Sequence, residues 1–193
     1  MQYDLICIGA SWGGLHAVGQ VLSKIPAGVD QPIVVAQHRH SDSDEDALGE
    51  LLGLKIARPV RDVEDKMPIE KSNVYLAPLD YHLLVQRGWF SLSVDARVQY
   101  ARPSIDVLFE SAADAYGENV IGVILTGANE DGAAGLSHIK ERGGVAVIQD
   151  PAGAERRAMP DAAIAATIAD AILPLEDIGG FIYGLCVPVR LRT

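Results

Sequence analysis

Short uninterrupted apolar runs recur along the chain between stretches of helical periodicity: Leu5 to Ile8, Ile33 to Ala36, Val74 to Ala77, Val120 to Leu125 and Val145 to Ile148. Strands without polar alternation are buried on both faces, the pattern of a parallel sheet covered by helices. Between them, Ile105, Leu108, Phe109, Ala112, Ala113 and Tyr116 follow the i, i+3, i+4 rule. This spacing predicts a helix with Pro103 at its first position and Gly117 as its stop. A second helix is predicted over Asp131 to Arg142, with Leu136 and Ile139 on one face and Gly143-Gly144 ending it. The alternation predicts an α/β fold, a doubly wound and mostly parallel sheet with helices on both faces. Residues 82 to 94 break the rhythm. There Leu83-Leu84-Val85 and Trp89 to Val94 flank Gln86-Arg87-Gly88, which predicts a small antiparallel excursion.

In an open α/β sheet, ligands bind beyond the carboxyl ends of the strands, and three chemistry-bearing residues fall there. Ser11 follows the first strand within the glycine-rich turn Gly9-Ala10-Ser11-Trp12-Gly13-Gly14, His38 ends the second, and Asp131 follows the strand that reaches Leu125. A serine hydroxyl attacks poorly until an imidazole takes its proton, and an acid on the other ring nitrogen fixes the useful tautomer. Backbone amides after Ser11, at Trp12 and Gly13, and in the Gly127 loop at Ala128 are the candidate oxyanion donors. Ser11 and Asp131 each precede a helix and fit ordinary N-caps as well. His40 lies two residues beyond His38 as a substitute for it. His16 and His138 sit within helical patterns, and His82 opens the excursion as a structural residue.

Composition narrows the function classes. The chain of 193 residues is 49% hydrophobic, enough for one domain with a sizeable core. Acidic residues outnumber basic ones 26 to 16, a net charge of −10 that disfavours binding to nucleic-acid phosphates. The start Met1-Gln2-Tyr3-Asp4 has no basic leader, and no apolar run is long enough to insert into a membrane, so the expected location is cytoplasmic. Cys7 and Cys186 fit reduced thiols acting as small hydrophobes, and neither they nor the histidines have metal-ligand spacing. No metal or cofactor is expected.

The glycine turn has two rival uses. A dinucleotide site requires G-x-G-x-x-G and an acid ending the second strand, whereas this chain has Ser11 and His38 in those places. An α/β-hydrolase elbow lies well inside its chain, and its triad runs serine, acid, histidine. Here the order is serine, histidine, acid. That order, together with Gly9-Ala10-Ser11-x-Gly13-Gly14, Ala36-Gln37-His38, Arg102-Pro103-Ser104-Ile105-Asp106-Val107-Leu108-Phe109 and Gly127-x-x-x-Asp131-Gly132-Ala133-x-Gly135, closely resembles the catalytic domain of CheB-type chemotaxis protein-glutamate methylesterases. The likeness extends to Val74-Tyr75-Leu76-Ala77-Pro78 and His82-Leu83-Leu84 and spans almost the whole chain.

The resemblance implies hydrolysis of glutamate γ-methyl esters on chemoreceptor cytoplasmic helices, with release of methanol and a related deamidation of glutamines. It assigns Ser11 as nucleophile, His38 as general base and acid, and Asp131 as the partner of His38. It implies no cofactor. The partners would be a methylated chemoreceptor or receptor-like protein and a separate regulatory protein. The expected organisation is a single catalytic domain over 1–193 without the usual receiver domain. Three departures stand out. Trp12 replaces the family's threonine and is expected to narrow the mouth of the site. Ala128-Asn129 replaces a methionine-glycine pair, asparagine being the next most tolerant residue of positive φ. The acidic segment Arg39 to Asp46 is expected to alter substrate docking. A silent receptor-binding adaptor, or an esterase or amidase with another substrate, stays open at this level.

Overall fold

The computed structural model describes residues 3–39 and 47–187. Its elements run β1 (Leu5–Ala10), α1 (Gly14–Ser23), β2 (Ile33–Gln37), α2 (Ala47–Gly53), β3 (Val60–Asp62), β4 (Val74–Leu76), β5 (His82–Gln86), β6 (Trp89–Ser93), α3 (Ile105–Tyr116), β7 (Val120–Ile124), α4 (Ala133–Glu141), β8 (Val145–Gln149), α5 (Ala158–Ala166), β9 (Ala171–Leu173) and α6 (Leu175–Cys186). Seven strands form one parallel sheet in the order β3-β4-β2-β1-β7-β8-β9. Each predicted apolar run became a strand of that sheet. The edge strands β3 and β9 were not predicted, because each is three residues long and only partly buried, too short to leave an apolar signature.

Side chains alternate between the two faces of the sheet, and both faces are covered. Leu5 and Cys7 of β1 join Leu108 and Phe109 of α3, Leu136 of α4 and Met159 of α5. Ile6 and Ile8 instead join Val18 of α1, Leu52 of α2 and Ile178 of α6. Burying a side chain of this size contributes about 1.5–3 kcal/mol, so these two layers dominate the favourable side of folding. Cys7 is fully buried, and burial pushes its thiol far above the ordinary range. No helix among the described residues is long and apolar enough to cross a membrane.

The predicted excursion is a separate two-stranded antiparallel sheet, β5 with β6, pairing His82 with Ser93 and Gln86 with Trp89. Its turn uses Gly88 at φ 90°. Leu83, Val85 and Phe90 pack it onto the α3 side of the main sheet, and Ser111 Oγ of α3 accepts the Val85 amide at 3.0 Å.

Two helix starts differ from the sequence expectation. The cap of α3 is Ser104, whose hydroxyl accepts the Val107 amide, so Pro103 stands just outside the helix rather than at its first position. Proline has no side-chain acceptor to offer, whereas serine does. The cap of α4 is Gly132 at φ 96°, and Asp131 stays outside that helix. Only glycine enters that backbone region without strain.

Candidate active site

The chain leaves β1 toward α1 on one face and β7 toward α4 on the other, which opens a crevice at the carboxyl ends of these neighbouring strands. The parallel ladders set its walls. Ala10 pairs with Gln37, the His38 amide donates to Ala10 O at 3.0 Å, and the Ser11 amide donates to Thr126 O at 2.9 Å. Ser11, His38 and the loop that carries Asp131 are thereby held at one edge of one sheet.

His38 and Asp131 meet directly. The imidazole Nε2 lies 2.7 Å from Asp131 Oδ2, across a separation of 93 residues. Asp131 is fully buried and accepts three further hydrogen bonds, from Ser104 Oγ (2.8 Å), the Ile105 amide (2.7 Å) and the Asp106 amide (3.1 Å). The last two are free amides at the N-terminus of α3, where a carboxylate is favoured by both hydrogen bonding and the helix dipole. Burial raises the Asp131 carboxyl, but the His38 bond and the two amides outweigh it and hold the group below its ordinary value. An ionised Asp131 only accepts, so His38 carries its proton on Nε2 and leaves Nδ1 as the basic nitrogen.

The N-cap alternative for Ser11 and Asp131 is excluded by where the caps fall. Gly13, at φ 77°, caps α1, and Gly132 caps α4. Ser11 is half-buried, and its hydroxyl makes no hydrogen bond among the described residues. Its carbonyl accepts the Gly14 amide at 2.8 Å and Gln37 Nε2 at 2.7 Å, so the turn is pinned from two sides while the hydroxyl is left available. Gln37 Nε2 also reaches His38 O at 2.9 Å, tying the serine turn to the histidine. The amides of Trp12, Gly13 and Ala128 make no hydrogen bond among the described residues, which leaves them available as donors.

Trp12, next to Ser11 in the turn, is 58% exposed. Its indole is drawn aside: Nε1 donates to Glu155 Oε1 at 2.7 Å, and the Arg156 guanidinium lies 5.4 Å from the ring centroid. Thr126 fastens both segments, its hydroxyl accepting the Arg156 amide at 2.8 Å and donating to Trp12 O at 3.0 Å. Asn129 does not take a positive φ, so glycine at that position is not needed for the turn. His40 and the acidic residues 41–46 lie outside the described residues. His16 is exposed on α1, and His138 pairs with Asp114 at 3.0 Å on the surface, both away from the site.

His82 takes a structural place close by. It is buried, its Nε2 meets Ala96 O at 3.0 Å, and its Nδ1 accepts the Ser104 amide at 3.3 Å. A cavity of about 470 Å³ opens beside His38, with Arg39, Asp80, Arg97, Tyr100, Arg102 and Asn129 among its walls. Sequence reasoning missed Ser104 and Asp106 as partners of Asp131, and it gave the arginines no role in the site. A serine two residues before an aspartate at the start of an apolar helix was the available signal for the first pair.

A CheB methylesterase family profile matches residues 6–182. The chain belongs to the CheB methylesterase family. Within it, a protein named as a protein-glutamate methylesterase/protein-glutamine glutaminase from Leptospira interrogans is 47% identical over 182 residues, covering 92% of each chain. Protein-glutamate methylesterase FrzG of Myxococcus xanthus is 40% identical over 178 residues, and the match spans 92% of this chain but 53% of FrzG. The crystal structure of the Thermotoga maritima CheB methylesterase catalytic domain superposes with a TM-score of 0.90 at 30% identity, covering 96% of this chain and all of that one. The CheB fold thus includes both the parallel sheet and the small hairpin sheet.

Proposed function

We propose that the chain hydrolyses glutamate γ-methyl esters on the cytoplasmic helices of a chemoreceptor, with glutamine deamidation as a related activity and Ser11, His38 and Asp131 as its catalytic triad. The observation that carries the reading is the 2.7 Å contact between His38 Nε2 and a buried, four-fold hydrogen-bonded Asp131 carboxylate. Membership of the CheB family supplies the substrate class.

The chemistry runs in two stages. Ser11 Oγ attacks the γ-carbonyl carbon while His38 Nδ1 takes the hydroxyl proton, and the imidazolium is stabilised by Asp131. The carbonyl oxygen becomes an oxyanion toward the amides of Trp12, Gly13 and Ala128, each such donor typically contributing about 10²–10³ in rate. Collapse expels methoxide, which His38 protonates to methanol, and leaves an acyl-enzyme on Ser11. Water deprotonated by His38 then attacks the acyl carbon, and the glutamate carboxylate is released with Ser11 restored. The deamidation follows the same path with ammonia as leaving group.

Purified protein mixed with methylated receptor fragments is expected to release methanol. The Ser11→Ala variant is expected to release none while binding the same fragments. Equal release from both proteins would overturn the assignment.

A further inference from the structure

Among the described residues, the cavity beside His38 is lined by more basic than acidic side chains, the reverse of the balance of the whole chain. Among the described residues its walls include Arg39, Arg97 and Arg102, with Asp80 as the carboxylate, in a chain of net charge −10. The arginines are unequally committed. Arg102 is the anchor: it donates from Nε and Nη2 to Asp80 Oδ1 at 3.2 and 2.8 Å, and from Nη1 to Val94 O and Asp95 O at 2.7 and 3.0 Å. Its side chain is only 18% exposed.

Arg97 is different. Its side chain is 58% exposed and meets the same Asp80 Oδ1 through one nitrogen at 3.3 Å, with no second partner among the described residues. The hydrogen bond from Arg102 is the largest cause holding the Asp80 carboxyl below its ordinary value, so Asp80 stays charged and keeps both guanidiniums in place. Its one oxygen already receives three donors. Four of the five N–H groups of Arg97 are left to a ligand, in a fork that matches a carboxylate.

The geometry points to a carboxylate subsite at Arg97, beside the catalytic histidine, that selects substrate segments carrying an acidic side chain close to the ester. This rests on the methylesterase reading for the chemistry at Ser11, and it adds what the segment around the ester must carry. Among the described residues, the wall of the cavity is basic. Arg97 is the specificity residue of the site, and Arg102 with Asp80 positions it.

The test separates binding from turnover. Two fluorescent peptides of about fourteen residues, each with one central glutamate γ-methyl ester, carry either two glutamates or two glutamines within one helical turn of it. Their Kd values are measured by anisotropy on Ser11→Ala protein, which cannot consume them. The acidic peptide is expected to bind about fivefold tighter, the size of a partly exposed ion pair, with the preference shrinking as salt rises. In the Arg97→Gln protein the preference is expected to vanish, in Arg97→Glu to invert, and in Arg97→Lys to return in part. Equal affinities for the two peptides, or a preference that survives Arg97→Gln, overturns the subsite. Methanol release by the protein with Ser11 intact is followed in parallel. Its failure alone would count against the esterase reading and leave the binding result standing.

Discussion

Asp131 and Asp106 cap each other's helices. The Asp131 carboxylate accepts the Ile105 and Asp106 amides at the start of α3, and Asp106 Oδ1 accepts the Gly132 and Gly135 amides at 2.9 and 2.8 Å at the start of α4. Two buried carboxylates thus satisfy four of the free N–H groups that helix ends leave. The arrangement fixes the carboxylate facing His38 through two helices at once, the rigidity that the proposed catalytic pair needs.

Asp131→Asn separates charge from shape. With the amide nitrogen in place of Oδ2, it faces the Ile105 N–H, donor against donor, and forces His38 to accept on Nε2 and carry its proton on Nδ1. The tautomer is then wrong for taking the Ser11 proton. Turnover is expected to fall about 10⁴-fold, and stability by about 2 kcal/mol for the buried mismatch. Ester turnover and chemical denaturation of the two proteins check both numbers.

Asp106 predicts a pH dependence with a definite sign. Burial pushes its carboxyl up to about 6, the Asp131 charge adds to the rise, and the Gly135 and Gly132 amides oppose it. A carboxyl raised in the folded state binds its proton more tightly there than in the unfolded chain. Its contribution is therefore complete below the unfolded value of 3.8 and is lost as pH rises through about 6. The depressed Asp131 acts oppositely, and its contribution is lost only as pH falls below 3.8. Asp106→Asn keeps an acceptor for both glycine amides and removes the titration. Denaturation midpoints between pH 4 and 6.5 are expected to slope downward for the native protein relative to the variant, and parallel curves would assign the slope elsewhere.

Thr126→Val tests the fastening behind the nucleophile turn. The valine leaves the Arg156 amide and Trp12 carbonyl without their hydroxyl partner at near-constant volume. Stability is expected to drop by about 1–2 kcal/mol. With the Trp12 amide as a proposed oxyanion donor, kcat is expected to fall about tenfold with KM little changed. A change confined to KM would place Thr126 in substrate binding instead.

Ser11→Ala is expected to abolish turnover and labelling by a serine-directed phosphonate. Its melting temperature should stay within about 1 °C, since the hydroxyl makes no hydrogen bond among the described residues. A large fall in stability would mean that the hydroxyl has a structural partner.

Much of this site is written in local patterns. The apolar runs specified five of the seven strands of the sheet, because a strand buried on both faces leaves no polar position to obscure it. The glycines around Ser11 marked a tight strand-to-helix turn, and the strand ends nominated His38 and Asp131. The order of those residues distinguished the chain from a dinucleotide site and from an α/β-hydrolase. Those are matters of neighbouring residues and their spacing, which the chain carries in one dimension.

Tertiary structure decided the rest. Whether Asp131 capped its own helix or another could not be read locally, since either use begins with an aspartate before a glycine. The packing of α3 against α4 brought Ser104, Ile105 and Asp106 to its carboxylate and turned a cap-like residue into the partner of His38. In the same way, Trp12 was drawn aside by Glu155 and Arg156, 143 residues later in the chain for the first of them. Arg97 has no local pattern at all, and Arg102 was legible only as the first residue of a family motif. They converge on Asp80 beside His38 because the hairpin packs onto the α3 side of the main sheet, and a charge cluster made by chain return has no signature in sequence spacing.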